Sequence, residues 1–372
     1  MADLSRSFVK TNVFGASAVT MKTPLPPAGL LRRFLPLSIL AMFFAAPLSA
    51  RVEDSASDLG QGWRRSAWMG DFYEAGDGWL WQENWGWMYE VDGGTDALWF
   101  YASGENGWYW ADGAYYPFLY RYAASAWVWF WPETSDPRLY YDYGSSGWTA
   151  SDASDGALWR RYFLSILDAE EAEYSEIRGN LTAVNQYNDA LPWNDSHTMI
   201  YVASWMGGKY ISSYVPGQPL TPSWRMWVTV AGQAQDFAYG SGLSGGALTL
   251  RMKELIGLPP DAEEEYWVEF LVRPEDLLRP SPDPDPSDSQ AQLDFPSSPE
   301  MSVDAAYREW FAGNAAASYI LTRNGYPWTR LGYTYDWAEG SDEVGLSEFI
   351  IRPGSTVLVT GVWTNEQYLE AR

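Results

Sequence analysis

The amino-acid sequence predicts an all-β aromatic repeat module of short antiparallel hairpins, then a linker helix, then an α+β domain. Three observations lead there. Residues 51–150 hold 13 of the 23 Trp, 11 of the 25 Tyr and 4 of the 15 Phe, and this richness ends abruptly near Ser151. Within that stretch Trp68, Trp87, Trp108, Trp127 and Trp148 are spaced 19, 21, 19 and 21 residues apart, the recurrence expected of a stacked supersecondary unit. From Asp155 onward the apolar residues switch from a period of two to helical spacing.

Taken in chain order, residues 1–50 are expected to be a secretory signal peptide, with its working part at Leu30–Ala50. The basic pair Arg32–Arg33, the apolar run Phe34–Phe44 and the small residues ending at Ser49-Ala50 follow the order such signals require. Met21-Lys22 would open an n-region of more ordinary length than Met1 does. A membrane span needs roughly 20 apolar residues, and this run is shorter and interrupted by Pro36 and Pro47. The expectation is therefore a secreted, extracellular or cell-surface protein with no membrane span after cleavage.

Residues 60–150 read as the repeat module. A 40-residue offset maps Trp87 onto Trp127, Phe100 onto Tyr140, Tyr101 onto Tyr141 and Gly107-Trp108 onto Gly147-Trp148. Alternating runs such as Trp79/Trp81, Trp85/Trp87/Tyr89, Phe118/Tyr120/Tyr122 and Trp127/Trp129/Trp131 are strands. The turn-formers between them, Asp92-Gly93-Gly94, Gly104–Gly107, Ser135-Asp136-Pro137 and Gly144–Gly147, are hairpin loops. Aromatic side chains supply buried area where aliphatic bulk is scarce. Because several strands carry aromatics on both faces, a surplus is expected to face solvent, and exposed apolar patches usually serve binding. Trp87, Trp108, Trp127 and Trp148 are the candidate ligand-binding residues.

Residues 155–179 are expected to form the linker helix, capped by Asp155 and stopped at Gly179, with Leu158, Trp159, Tyr162, Phe163, Ile166, Leu167, Tyr174 and Ile177 on one stripe. The α+β domain spans 181–372. Its strands are expected at Met199–Ala203, Met226–Ala231, Tyr266–Val272, Leu331–Asp336, Leu346–Ile351 and Val357–Val362, with Pro353-Gly354 turning the last two into a hairpin. Its helices are expected at Leu248–Ile256 and at Val303–Phe311, the latter opened by Ser302. An acidic Pro/Asp/Ser loop occupies 280–299.

Composition narrows the chemistry. Without residues 1–50 the chain carries 19 basic against 47 acidic residues, so nucleic acid is excluded as a partner for want of a basic footprint. With no cysteine there is neither disulfide nor thiolate, and one histidine leaves carboxylates and hard cations as the available metal chemistry. Asp283, Asp285 and Asp288 alternate as calcium ligands would, but the loop lacks the glycine and terminal glutamate of an EF-hand, so solvated disorder is the simpler reading. Gly242-Leu243-Ser244-Gly245-Gly246 fits a nucleophile elbow, yet the single histidine, His197, precedes the serine instead of following it. Two carboxylates, Asp336 and Glu348, lie on strands expected to pair beside Trp328, Tyr333, Tyr335 and Trp337, as a carbohydrate hydrolase would need.

The roughly 20-residue rhythm of Gly-Trp pairs in 60–150 resembles choline-binding and related cell-wall-binding repeats, and more nearly the Trp/Tyr-rich repeats of exported bacterial surface proteins. The C-terminal half resembles an uncharacterised family of bacterial secreted proteins. That resemblance is carried by LRMKELIGLPPDAE (250–263), by residues 266–296 and by GYPWTRLGYTYDWAEGSDEVGLSEFIIR (325–352). It implies cysteines near positions 281 and 291, where this chain has Ser281 and Ala291, and so a looser acidic loop. The functional expectation is attachment to an envelope polymer, carbohydrate or surface partner through the repeat. The alternatives are a secreted carboxylate-dependent carbohydrate hydrolase and a purely structural surface protein.

Overall fold

A computed structural model describes residues 52–92, 96–297 and 303–370; the expected signal peptide lies outside these. After a single helical turn, α1 (Val52–Ser55), eleven short strands follow: β1 (Ser57–Gly60), β2 (Trp63–Ser66), β3 (Gly70–Gly76), β4 (Trp79–Gln82), β5 (Gly86–Asp92), β6 (Ala97–Ala102), β7 (Gly107–Asp112), β8 (Phe118–Arg121), β9 (Ala126–Phe130), β10 (Leu139–Asp142) and β11 (Gly147–Ala150). They form one antiparallel meander in sequence order.

Alternation decides which side chains are buried. Phe72, Leu80, Met88, Leu98, Phe100, Tyr109, Leu119, Val128, Phe130 and Tyr140 point inward and are buried, while their neighbours along each strand point outward. Trp85, in the turn between β4 and β5, puts its ring 4.8 Å from that of Phe130 on β9. Strands this far apart in a flat sheet would be separated by about 20 Å, so the sheet curls around its inner face. The curl is locked by Glu105 in the β6–β7 turn, which accepts from Arg138 Nε at 2.6 Å and from the hydroxyls of Tyr109 and Tyr140. Arg138 also donates to the carbonyl of Asn84.

The linker helix, α2 (Gly156–Glu170), begins where Asp155 accepts from the amides of Ala157 and Leu158. It is shorter than expected: Tyr174–Glu176 is a separate 3₁₀ turn. Carboxylates at 170, 171 and 173 oppose the negative end of the helix dipole, and none of the last-turn residues is basic. Gly156 lets α2 abut β11, since a Cβ there would sit 2.6 Å from the backbone of Thr149. The helix is not an exposed spacer. Trp159, Tyr162, Phe163 and Ile166 form one core with Trp131, Leu139 and Ala150 of the module and with Leu321, Tyr335 and Trp337 from the far end of the chain. Arg323 spans the same junction, bonding Asp136 and Asp152 on one side and Asp261 on the other.

The α+β part contains β12 (Ile200–Met206), β13 (Pro219–Leu220), β14 (Met226–Val230), α3 (Gln233–Ser241), α4 (Gly245–Leu255), β15 (Tyr266–Val272), β16 (Leu277–Leu278), α5 (Ala305–Ser318), β17 (Tyr333–Tyr335), β18 (Val344–Ser347), β19 (Phe349–Ile351), β20 (Val357–Thr364) and α6 (Asn365–Leu369). Seven strands form a sheet in the order β13-β20-β15-β12-β14-β19-β16, and β17 and β18 form a two-stranded ribbon.

Three expectations are corrected here. The segments flanking Pro353-Gly354 are not a hairpin, because β19 pairs with β14 and β16 whereas β20 pairs with β13 and β15. The run expected as one strand over Leu346–Ile351 breaks at Glu348, where the chain leaves the ribbon for the large sheet. The helix expected from Val303 starts at Ala305 under an Asp304 cap and runs on to Ser318; the expected opener, Ser302, lies outside the described residues. Among the described residues no helix is long and apolar enough to cross a membrane.

Candidate functional site

The outward face of the module is an aromatic ladder whose order follows from strand register. Trp63 faces Tyr73, Tyr73 faces Trp81 and Trp81 faces Trp87. A second row runs Trp79, Tyr89, Tyr101, Trp108, a third Trp99, Trp110, Tyr120, Trp127, and a fourth Phe118, Trp129, Tyr141, Trp148. Each row crosses four strands and begins one hairpin after the last. The four candidate tryptophans each end a row, whereas Trp68, the first of the spaced series, lies in the β2–β3 turn and packs on Tyr116. The 20-residue rhythm is the trace of this staircase.

The rings pack edge to face. Trp63 meets Trp81 at 87°, Trp110 meets Trp127 at 87° and Trp129 meets Trp148 at 90°, the arrangement the ring quadrupole favours. Exposure is unequal along the staircase. Trp63 and Trp79 are each 38% exposed and Trp87 47%, whereas Trp108, Trp127 and Trp148 are half-buried. Trp148 is enclosed by Trp131, Tyr141 and the guanidinium of Arg160 from α2. Among the described residues Trp87 packs against no other ring, and it is the most exposed indole of the staircase.

Trp79 and Trp87 wall a shallow, open cleft of about 500 Å³, completed by Ala75, Gly76, Asp77 and Ser103. This size falls in the range of small-molecule sites, roughly 300–1,000 Å³. The turn Gly76-Asp77-Gly78 forms its rim. Gly78 takes φ +82°, and a Cβ there would press on Tyr89 at 3.2 Å, so the residue preceding Trp79 must be glycine. Asp77 makes no bond to any group among the described residues. Ser103 has already donated its proton to the carbonyl of Trp87 at 2.8 Å, leaving its oxygen free to accept. Trp79, Asp77 and Ser103 escape sequence reasoning, although the pairs Gly78-Trp79 and Gly86-Trp87 carry the repeat's signature.

The other candidates lie apart from this face. Asp336 is 4% exposed and held by both terminal nitrogens of Arg251, at 3.0 and 2.6 Å. Glu348 is likewise 4% exposed; its contact is the hydroxyl of Tyr326 at 3.2 Å, and its Oε2 has no partner. Burial pushes the Glu348 carboxyl up to about 8. The two groups share no partner. Tyr333, Tyr335, Trp328 and Trp337 beside them are buried, so they offer no platform for a sugar.

The acidic loop is packed along part of its length: Ser281, Asp283 and Ala291 are buried, whereas Asp285 and Asp288 are exposed. It wraps Arg279, 1% exposed, whose Nη2 donates to the carbonyls of Thr182, Pro286 and Asp288. Asp283, Asp285 and Asp288 each cap a local turn, and Asp288 lies 3.9 Å from the guanidinium. Among the described residues, the carboxylates that do converge within 4.8 Å are Asp168, Glu176 and Glu343. Burial, with repulsion from Asp168, lifts Glu176 and Glu343 above the ordinary carboxylate range. Tyr335 donates to Asp168 at 2.9 Å, and Arg178 offsets part of the charge at Glu343. Ser244 precedes α4, while His197 stacks on Trp193 at 4.2 Å on another loop. No family model, curated protein or solved structure matches this chain.

Proposed function

We propose that this is a secreted or cell-surface protein that attaches through the outer face of its hairpin module to an envelope polymer, carbohydrate or surface partner. The observation that carries this reading is the staircase of aromatic rows: its members all face outward, none is fully buried, and its first rows are the most exposed. Soluble proteins rarely leave a contiguous apolar surface of this kind without a use. The recurrence of Gly-Trp pairs about every 20 residues through 60–150, which repeats the outward aromatic rows, supports the same reading. The signal-like segment before Arg51 supports export.

The test is retention of the chain from Arg51 onward on insoluble cell-wall and polysaccharide preparations, compared with a variant carrying Trp63→Ala, Trp79→Ala and Trp87→Ala. All three rings are exposed, so the variant should fold. The expected result is retention of the parent chain and its loss in the variant. Equal retention of both, or retention of neither, sinks the reading.

A further inference from the structure

We infer that the cleft between Trp79 and Trp87 is a subsite for an uncharged sugar unit of a glycan, with the two indoles as stacking faces and Asp77 and Ser103 as acceptors for its hydroxyls. The inference rests on the attachment reading and narrows it from any envelope polymer to one chemistry.

Three features define that chemistry. The lining offers two exposed indoles, Trp87 at 47% the most exposed of the staircase and Trp79 at 38% level with Trp63, and among the described residues no other ring packs against Trp87. Indole faces pack against the C–H faces of pyranose rings, which are apolar, while a sugar's edge carries hydroxyl donors. The side-chain polar groups present match that edge: Asp77 is an unengaged carboxylate, and the Ser103 hydroxyl has spent its proton on a backbone carbonyl. A carboxylate accepts two hydrogen bonds side by side, as two adjacent hydroxyls supply.

Charge excludes the anionic alternatives. Residues 52–150 contain 15 acidic and 4 basic side chains. Every one of those four cations is consumed inside the module: Arg64 by Glu74, Arg65 by Asp71, Arg121 by Asp142 and Arg138 by Glu105. Nothing in the cleft can neutralise a phosphate, sulfate or uronate, and the surrounding field repels them. Because the cleft is shallow and open, a unit within a polymer can enter as readily as a chain end.

Binding of cellohexaose, mannohexaose, chitohexaose, an oligogalacturonate and choline is measured with the chain from Arg51 onward, by tryptophan fluorescence and calorimetry. At least one neutral hexasaccharide is expected to bind, with little dependence on salt. Trp79→Ala and Trp87→Ala should each weaken it about tenfold, the loss of one stacking contact. Asp77→Asn should weaken it several-fold, and Trp148→Phe, at the covered end of the staircase, should not. The inference is overturned if no neutral sugar binds, if the oligogalacturonate or choline binds in preference, or if sugar binding survives both tryptophan substitutions. Should the three-ring variant lose wall retention while every neutral sugar is silent, attachment through this face stands and the sugar subsite falls. Should wall retention survive in that variant, both fall.

Discussion

Glu348 stands at the break between β18 and β19, and replacing it with glutamine should stabilise the protein in a pH-dependent way. The Tyr326 hydroxyl has one proton and lies 3.0 Å from the carbonyl of Ile256 and 3.2 Å from Glu348 Oε1. The hydroxyl donates toward both oxygens, and its bond to Oε1 favours the charged carboxylate. Burial outweighs that bond, raising the carboxyl from its ordinary 4.5 to about 8. Between those values the folded chain holds a proton that the unfolded chain has released, so stability falls as pH rises from 4.5 to about 8 and levels off beyond. At pH 7 the shift amounts to about 3 kcal/mol, at 1.36 kcal/mol for each pH unit above 4.5. Glutamine titrates in neither state, and its amide oxygen can accept from Tyr326 as Oε1 does. Glu348→Gln should therefore match the parent near pH 4.5 and exceed it by about 3 kcal/mol at pH 7. Urea unfolding followed by tryptophan fluorescence across this range measures the gap. A gap that stays constant with pH, or a variant weaker than the parent at pH 7, would refute the reasoning.

Further outcomes concern the module and its junction. Arg138→Ala should cost about 3–5 kcal/mol in urea unfolding, because it strands Glu105 as a buried charge and frees the turns that close the curl. Trp131→Ala should cost a similar 3–5 kcal/mol by emptying the core shared with α2, and a proteolysis assay should find the module and the α+β part cleaved apart more readily. Arg323→Ala removes three partly exposed ion pairs and should cost about 1–2 kcal/mol near neutral pH. Burial disfavours the charged form of Asp152, but hydrogen bonds from Ser154 and Arg323 outweigh it and hold the carboxyl below its ordinary 3.8. Its contribution is complete above that value and vanishes as pH falls through the lowered one, so acid unfolding curves of parent and variant should converge.

The fold class is legible in the sequence because hairpins are local. Alternation within five or six residues separates inner from outer side chains, and Gly- and Asp-rich turns place the reversals. Asp155 is legible as a cap for the same reason, since its partners are two and three residues away. The pairing of β19 and β20 is not. Both flank a true turn at Gly354, φ +82°, but their partners lie tens of residues away, and a long-range sheet outbids a tight hairpin by burying both strands. The acidic loop misleads in a similar way. Its Pro, Asp and Ser content reads as solvated, and only folding brings Arg279 into its centre.

The candidate site divides along the same line. The sequence by itself determines that tryptophans recur every 20 residues on alternating strands, and hence that Trp87, Trp108, Trp127 and Trp148 occupy equivalent positions. Tertiary structure alone decides which of them a ligand can reach. Register joins each to partners up to 30 residues distant, as Trp148 is to Phe118, and α2 brings Arg160 over Trp148 while leaving Trp87 open. Equivalence along a chain is a property of spacing, whereas exposure depends on what packs alongside, and the helix covers only one end of the staircase.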